Sequence, residues 1–136
     1  MADLTVRWRS WAPRFLSVLR IAAGFLFIQY GSTKLFAIPG PLMPDGSTVA
    51  PLSLAGIAGI LELVGGVFIL LGLFTRPAAF ILSGEMAVAY WHAHAPRGAW
   101  PVLNQGAPAF IFCFLFLYLS AAGAGPWSLD HSRRSR

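Results

Sequence analysis

Between residues 16 and 122 the chain alternates long apolar runs with short polar connections. Four runs stand out, at about residues 16–36, 52–74, 77–92 and 108–122, each near the roughly 20 residues that cross a bilayer as a helix. The third is the shortest. Residues 98–129 hold no charged side chain, so the fourth run is marked by its surroundings as well as by its own composition. The connections carry turn chemistry. "AIPGPLMPDGSTVAP", residues 37–51, has four prolines and two glycines, including Asp45-Gly46, and reads as a loop. In "TRP", Thr75 suits a helix cap and Pro77 a first helical turn. Asn104 and Pro108 are start signals for the last helix, and "GAGPW", residues 123–127, ends it.

Composition and charge turn these runs into membrane spans. Hydrophobic residues make up 57% of the 136 and charged residues 11%, against about 45–50% and about 25% in soluble domains. So few charges could not cover the surface of a soluble protein of this size. The formal net charge is +5, but the bases gather at the ends of the chain beside apolar segments, which argues against a nucleic-acid partner and for a bilayer. Arg7, Arg9, Arg14 and Arg20 lie before or at the start of the first run, Arg76 lies in the second connection, and Arg133, Arg134 and Arg136 end the chain. No small-residue cleavage site follows the first run, and Gln29, Tyr30 and Lys34 interrupt its second half, so it reads as a span and not a leader. Trp91, Trp100 and Trp127 fall at the expected interfaces. The expected fold is all-α: an integral membrane four-helix bundle with both termini cytoplasmic. Residues 1–15 form a basic N-terminal segment, 16–126 the four-span domain, and 127–136 a basic tail.

Ionisable side chains at membrane depth are costly and mark functional sites by default. Three qualify: Lys34, Glu62 and Glu85. His92 and Asn104 lie near the outer ends of their spans. At helical spacing Glu62 shares a face with Ala55, Ala58, Gly59, Gly65 and Gly66, so it turns toward a neighbouring helix and not toward lipid. Helical side chains slant toward the N-terminus, which aims Lys34 down to the depth of Glu62. An ion pair is expected, with snorkelling of Lys34 to the headgroups as the plain alternative. Glu85 shares a face with Ala78, Ala89 and His92, a candidate polar track toward the outer side and equally a structural carboxyl. His92-x-His94 has the look of a metal pair but lacks a third ligand, and no metal site is assigned. No haem, flavin or iron–sulfur signature is present. A single cysteine, Cys113, precludes a disulfide or CxxC centre within one chain.

Several of these residues fall into a known order. The chain resembles the DoxX family of four-span bacterial membrane proteins, related to the DoxD subunit of thiosulfate:quinone oxidoreductase. Arg20, Gly24, Gly31 and Lys34 in "RIAAGFLFIQYGSTKLF" carry the resemblance in the first span. Glu62, Gly65, Gly66, Gly72, Thr75 and Arg76 carry it in "ELVGGVFILLGLFTR". "NQG" at residues 104–106 follows, and "GAGPWSLD" ends the match with Gly123, Gly125 and Asp130. An Asp130–Arg76 contact is expected between the tail and the second connection. The resemblance implies the bacterial inner membrane and redox biology: a membrane subunit or partner of an oxidoreductase complex, with quinone as a possible ligand. The bilayer and a redox-enzyme partner chain are the partners it suggests, and a homo-oligomer is compatible with it. Two other readings remain open, a non-enzymatic scaffold whose charges fix helix register and a proton or small-solute pathway through Glu62 and Glu85. The catalytic residues, if there are any, stay unassigned.

Overall fold

Each apolar run forms a helix, and the first helix is longer than its run. The computed structural model describes residues 2–136 and holds no strand among them. Helix α1 spans Ala2–Phe36, so the basic segment expected before the first span, of which residue 1 lies outside the described residues, continues the same helix. Its 35 residues make a rod about 52 Å long. Helix α2 is Leu54–Leu71, α3 is Thr75–Ala89 and α4 is Ala107–Ala122. A π-helical turn, Tyr90–His94, and a 3-10 turn, Ala95–Arg97, prolong α3, so the run expected to be shortest has a helical path from Thr75 to Arg97. A short α5, Leu129–Arg134, ends the chain. Helix α1 and helix α2 are long and apolar enough to cross a membrane, and α4 is shorter.

Helices α1 and α2 pack closely along their length, α3 packs along α4, and α2 meets α3 more sparsely. The α1–α2 approach depends on glycine. A Cβ at Gly31 would lie 2.5 Å from the Leu63 nitrogen and 2.6 Å from the Gly59 carbonyl oxygen. One at Gly66 would lie 2.8 Å from the Ile28 nitrogen, and one at Gly24 would run into the backbone of Leu70. Small residues at this spacing let two backbones touch, the commonest way helices associate without a hydrophobic drive. Between α1 and α4 the packing is aromatic instead. Phe27 is fully buried and meets Phe112 and Phe116 edge-on, with ring centroids 5.0 and 4.6 Å apart.

At the end of the bundle that carries both termini, charges close the helix ends. Arg20 is fully buried; its Nη1 donates to the carbonyls of Ile69 and Leu70 at 3.1 Å, and its Nη2 to that of Trp127 at 2.5 Å. It therefore satisfies the last turn of α2, where orphan carbonyls and the negative end of the helix dipole favour a cation. The sequence assigns Thr75 as the cap of α3 and pairs Asp130 with Arg76; the structure corrects both. Phe74, with φ +47°, holds the cap position and gives no side-chain bond, while Thr75 is already helical and buried. The capping oxygens come from Asp130, which accepts the N–H groups of Phe74 and Thr75 at 2.9 Å each. Arg76 instead donates to the carbonyls of Ser120 and Ala121 at the C-terminus of α4. A carboxylate gains more from free N–H groups, and a guanidinium from free carbonyls, than the two gain from each other in solvent.

Burial raises the Asp130 carboxyl, but the bonds from Thr75 and Phe74 outweigh it and hold the group below the ordinary carboxylate range. A carboxyl more acidic in the folded chain stabilises it above the unfolded value near about 4 and loses that contribution as pH falls through the folded value. Asp130→Asn should therefore flatten the acid-side fall in Tm of the detergent-solubilised chain below that pH. Parallel acid profiles for wild type and variant would show that this cap is unimportant.

Candidate functional site

One stripe of α1 carries the site's foundations. Pro13, Ser17, Arg20, Gly24, Phe27, Gly31 and Lys34 follow each other at alternating steps of four and three, the spacing of a single helix face. All from Ser17 to Gly31 are buried. Its counterpart on α2 is Gly59, Glu62, Gly66 and Ile69, also buried. The two stripes run antiparallel, so Lys34 at the far end of α1 reaches back along its helix to Glu62. Lys34 Nζ meets the two Glu62 carboxylate oxygens at 2.6 and 2.7 Å. The Lys34 side chain is 19% exposed and that of Glu62 3%, so the ammonium points inward and does not snorkel.

Glu62 sits where three helices meet. Gly59 and Gly66 press on α1, while Gly65 faces Leu82 of α3. Across that gap stands Glu85 of α3, within electrostatic reach of both Glu62 and Lys34. Both of its carboxyl oxygens are buried and no N–H or hydroxyl donor among the described residues reaches them, while the Glu62 carboxyl lies close enough for the two acids to share a proton. Buried polar atoms are almost always paired, so two on one side chain need an explanation. A cleft of about 610 Å³ supplies one. It opens between α2 and α3, where helix contacts are sparse. Its walls are apolar, with Ile57, Leu61, Ile81 and Val88 among them, and Lys34, Glu85 and His92 are its ionisable groups.

Of the sequence candidates, then, Lys34, Glu62, Glu85 and His92 gather at one place, with Glu62 just behind the wall. Asn104 does not join them. It is 97% buried in the loop before α4, where its Nδ2 donates to the Gly98 carbonyl at 2.8 Å and its Oδ1 accepts from the Gly106 N–H at 2.8 Å. His94 turns to the Asn104 carbonyl at 3.2 Å, away from His92. Two positions apart on a helix, the two histidines point to different sides, and the turn that holds them is π-helical, a distortion often found at functional positions. Its position is not visible in the hydrophobic pattern, although Pro96 signals a break nearby. Gly72, Gly123 and Gly125 lie elsewhere: Gly72 and Gly123 beside the guanidiniums of Arg20 and Arg76, and Gly125 against Ser17.

Removing one member of a buried pair strands the other, at a cost of about 3–5 kcal/mol. Lys34→Met and Glu62→Gln should each lower the unfolding free energy of the detergent-solubilised chain by that order, and the double variant should lose clearly less than their sum. Strict additivity would mean that the two charges do not support each other.

Comparison with known proteins fits this geometry. The family model for DoxX matches residues 15–95, the stretch that holds Arg20, the glycine seam, Lys34, Glu62, Arg76 and Glu85; Gly123, Gly125 and Asp130 lie beyond it. An uncharacterized protein of Haemophilus influenzae is 41% identical over 122 residues, covering 88% of this chain and 90% of that protein. The inner membrane protein YphA of Escherichia coli is 35% identical over 71 residues, 51% of each chain. A Bacillus subtilis protein named "Putative oxidoreductase CatD" is 34% identical over 59 residues, 43% of this chain and 44% of that one. No solved structure matches. From the buried charges to the glycine spacing, the chain belongs to the DoxX family.

Proposed function

We propose that the chain is a four-span protein of the bacterial inner membrane, with both termini cytoplasmic, that works as a membrane subunit or partner of a redox complex and holds a quinone or quinol headgroup in the α2–α3 cleft. Large apolar side chains such as Phe25, Ile57, Phe80, Val88 and Phe114 are exposed around the bundle, as lipid contact requires. The basic residues cluster toward one end, in keeping with an N-in, C-in topology. A relative named as an inner membrane protein and another named as an oxidoreductase give the compartment and the chemistry their support.

One observation carries the ligand reading: Lys34 is spent on Glu62, while the Glu85 oxygens are buried at the cleft beside the Glu62 carboxyl, with no N–H or hydroxyl donor among the described residues. What complements them is a hydrogen-bond donor attached to an apolar body. A quinol hydroxyl on a ring with an isoprenoid tail has that shape, and the apolar walls suit the tail. A bound quinone would bring two-electron, two-proton redox chemistry, with electrons exchanged through a partner chain. The chain's own residues would position it. Glu85 would accept the hydroxyl's hydrogen bond and hold a proton at its carboxylate, Lys34 and Glu62 would keep the floor of the cleft charged and rigid, and His92 would stand at its mouth. The scaffold reading keeps one point in its favour, since the Lys34–Glu62 pair joins α1 to α2 whether or not a ligand binds.

Gly84 lines the cleft and a Cβ there would meet nothing within 4 Å. Gly84→Leu should therefore fill the cleft and strip bound quinone from protein purified out of native membranes, while its Tm stays near that of the wild type. Glu85→Gln should weaken binding of a soluble quinol analogue by about fivefold or more, the worth of one hydrogen bond. Wild-type protein that carries no quinone, or variants that retain it fully, would favour the scaffold.

A further inference from the structure

The opposite end of the bundle has a second cavity, of about 520 Å³, beside the last turn of α4. One wall is apolar, formed by Pro13 and Leu16 of α1 and by Tyr118 of α4. The other carries Arg76, His131 and Arg134. The donors on this wall are largely unspent. Arg76 uses Nη1 for the α4 carbonyls, leaving Nε and Nη2 along Gly123 without an acceptor among the described residues. The side chains of His131 and Arg134 make no hydrogen bond among the described residues, and Arg134 has Asp130 only as an electrostatic neighbour. Asp130 is the single acid of the wall, and both of its oxygens are taken by the N–H groups of Phe74 and Thr75. The cavity thus offers two guanidiniums and an imidazole against a single carboxylate, Asp130, whose oxygens are turned to the backbone of α3.

We infer that this cavity seats the headgroup of an anionic phospholipid. The phosphate lies against Arg76 and Arg134, whose planar forks suit two of its oxygens, with His131 beside them. Any phosphate shares that chemistry, but the shape of the cavity selects a lipid. Half of its wall is apolar and continues onto outward faces of α1 and α4, where Phe15 and Tyr118 are 50% and 59% exposed and acyl chains can lie. Trp127, 53% exposed, stands at the same end, in keeping with an interfacial indole. Basic pockets between spans, on the side where this one falls in an N-in topology, are where anionic headgroups bind. The site is independent of the α2–α3 cleft, so either assignment can fail without the other.

Native mass spectrometry of the full chain released from micelles doped with phosphatidylglycerol or phosphatidylethanolamine tests this. Phosphatidylglycerol should be retained in preference. The His131→Gln, Arg134→Gln double variant should lose that retention by about fivefold or more, the worth of one basic residue at an anionic surface. Arg133→Gln removes a neighbouring charge that stacks over Phe74, 5.3 Å from its ring, outside the cavity, and should leave retention unchanged. Equal retention of the two lipids would overturn the inference, as would equal losses in Arg133→Gln. Displacement of the lipid by millimolar inorganic phosphate would also overturn it and make this a free-phosphate site.

Discussion

Two cations on one face of α1 fix where everything else in the bundle can sit. Arg20 and Lys34 are separated by fourteen residues, about 21 Å along the helix. One is anchored to the last carbonyls of α2 and the other to Glu62 near its middle. Between them Gly24 and Gly31 bring the two backbones into contact, so α1 can neither slide nor rotate against α2 without stranding a charge or driving a Cβ into the backbone. In lipid both faults are severe, because no water reaches the seam to solvate what is left unpaired.

That rigid pair explains why the other side of α2 can afford a gap. The glycine seam is spent on α1, and toward α3 the contact is sparse, so Glu85 faces a cleft instead of a packed surface. Lys34 cannot swing across to neutralise it, since both Glu62 oxygens already hold the ammonium. The structure therefore keeps one carboxylate satisfied by a cation and, on the facing helix, a second carboxyl beside it that no N–H or hydroxyl donor among the described residues reaches. At the other end the same economy of charge closes the helix ends: Arg20 on α2, Asp130 on α3 and Arg76 on α4. This leaves His131 and Arg134 of α5 without a hydrogen-bond acceptor among the described residues.

Much of this was legible in the sequence because helical periodicity and side-chain slant are local rules. The four apolar runs, the inward face of Glu62 and the reach of Lys34 toward it all follow from spacing within single helices. The readings that failed needed knowledge of which chain ends meet. The Asp130 cap spans more than fifty residues of sequence, so Thr75, a good cap by composition, loses to a carboxylate brought in by the fold. Asn104 is spent on its own loop, and the π-helical turn that holds His92 and His94 has no hydrophobic signature. Arg20 was read as one of the bases flanking the first span and as part of the family resemblance, although it lies on the same stripe as Lys34 and that spacing could have shown it to be buried.

The central claim is that Glu85 is held at the cleft without an N–H or hydroxyl donor from the described residues so that a ligand can supply one. Infrared difference spectroscopy of the detergent-solubilised chain, with and without a quinol analogue, tests it most directly. The account predicts a change in a carboxyl band on binding that disappears in Glu85→Gln. Binding without any carboxyl change, or the same change in that variant, would contradict it.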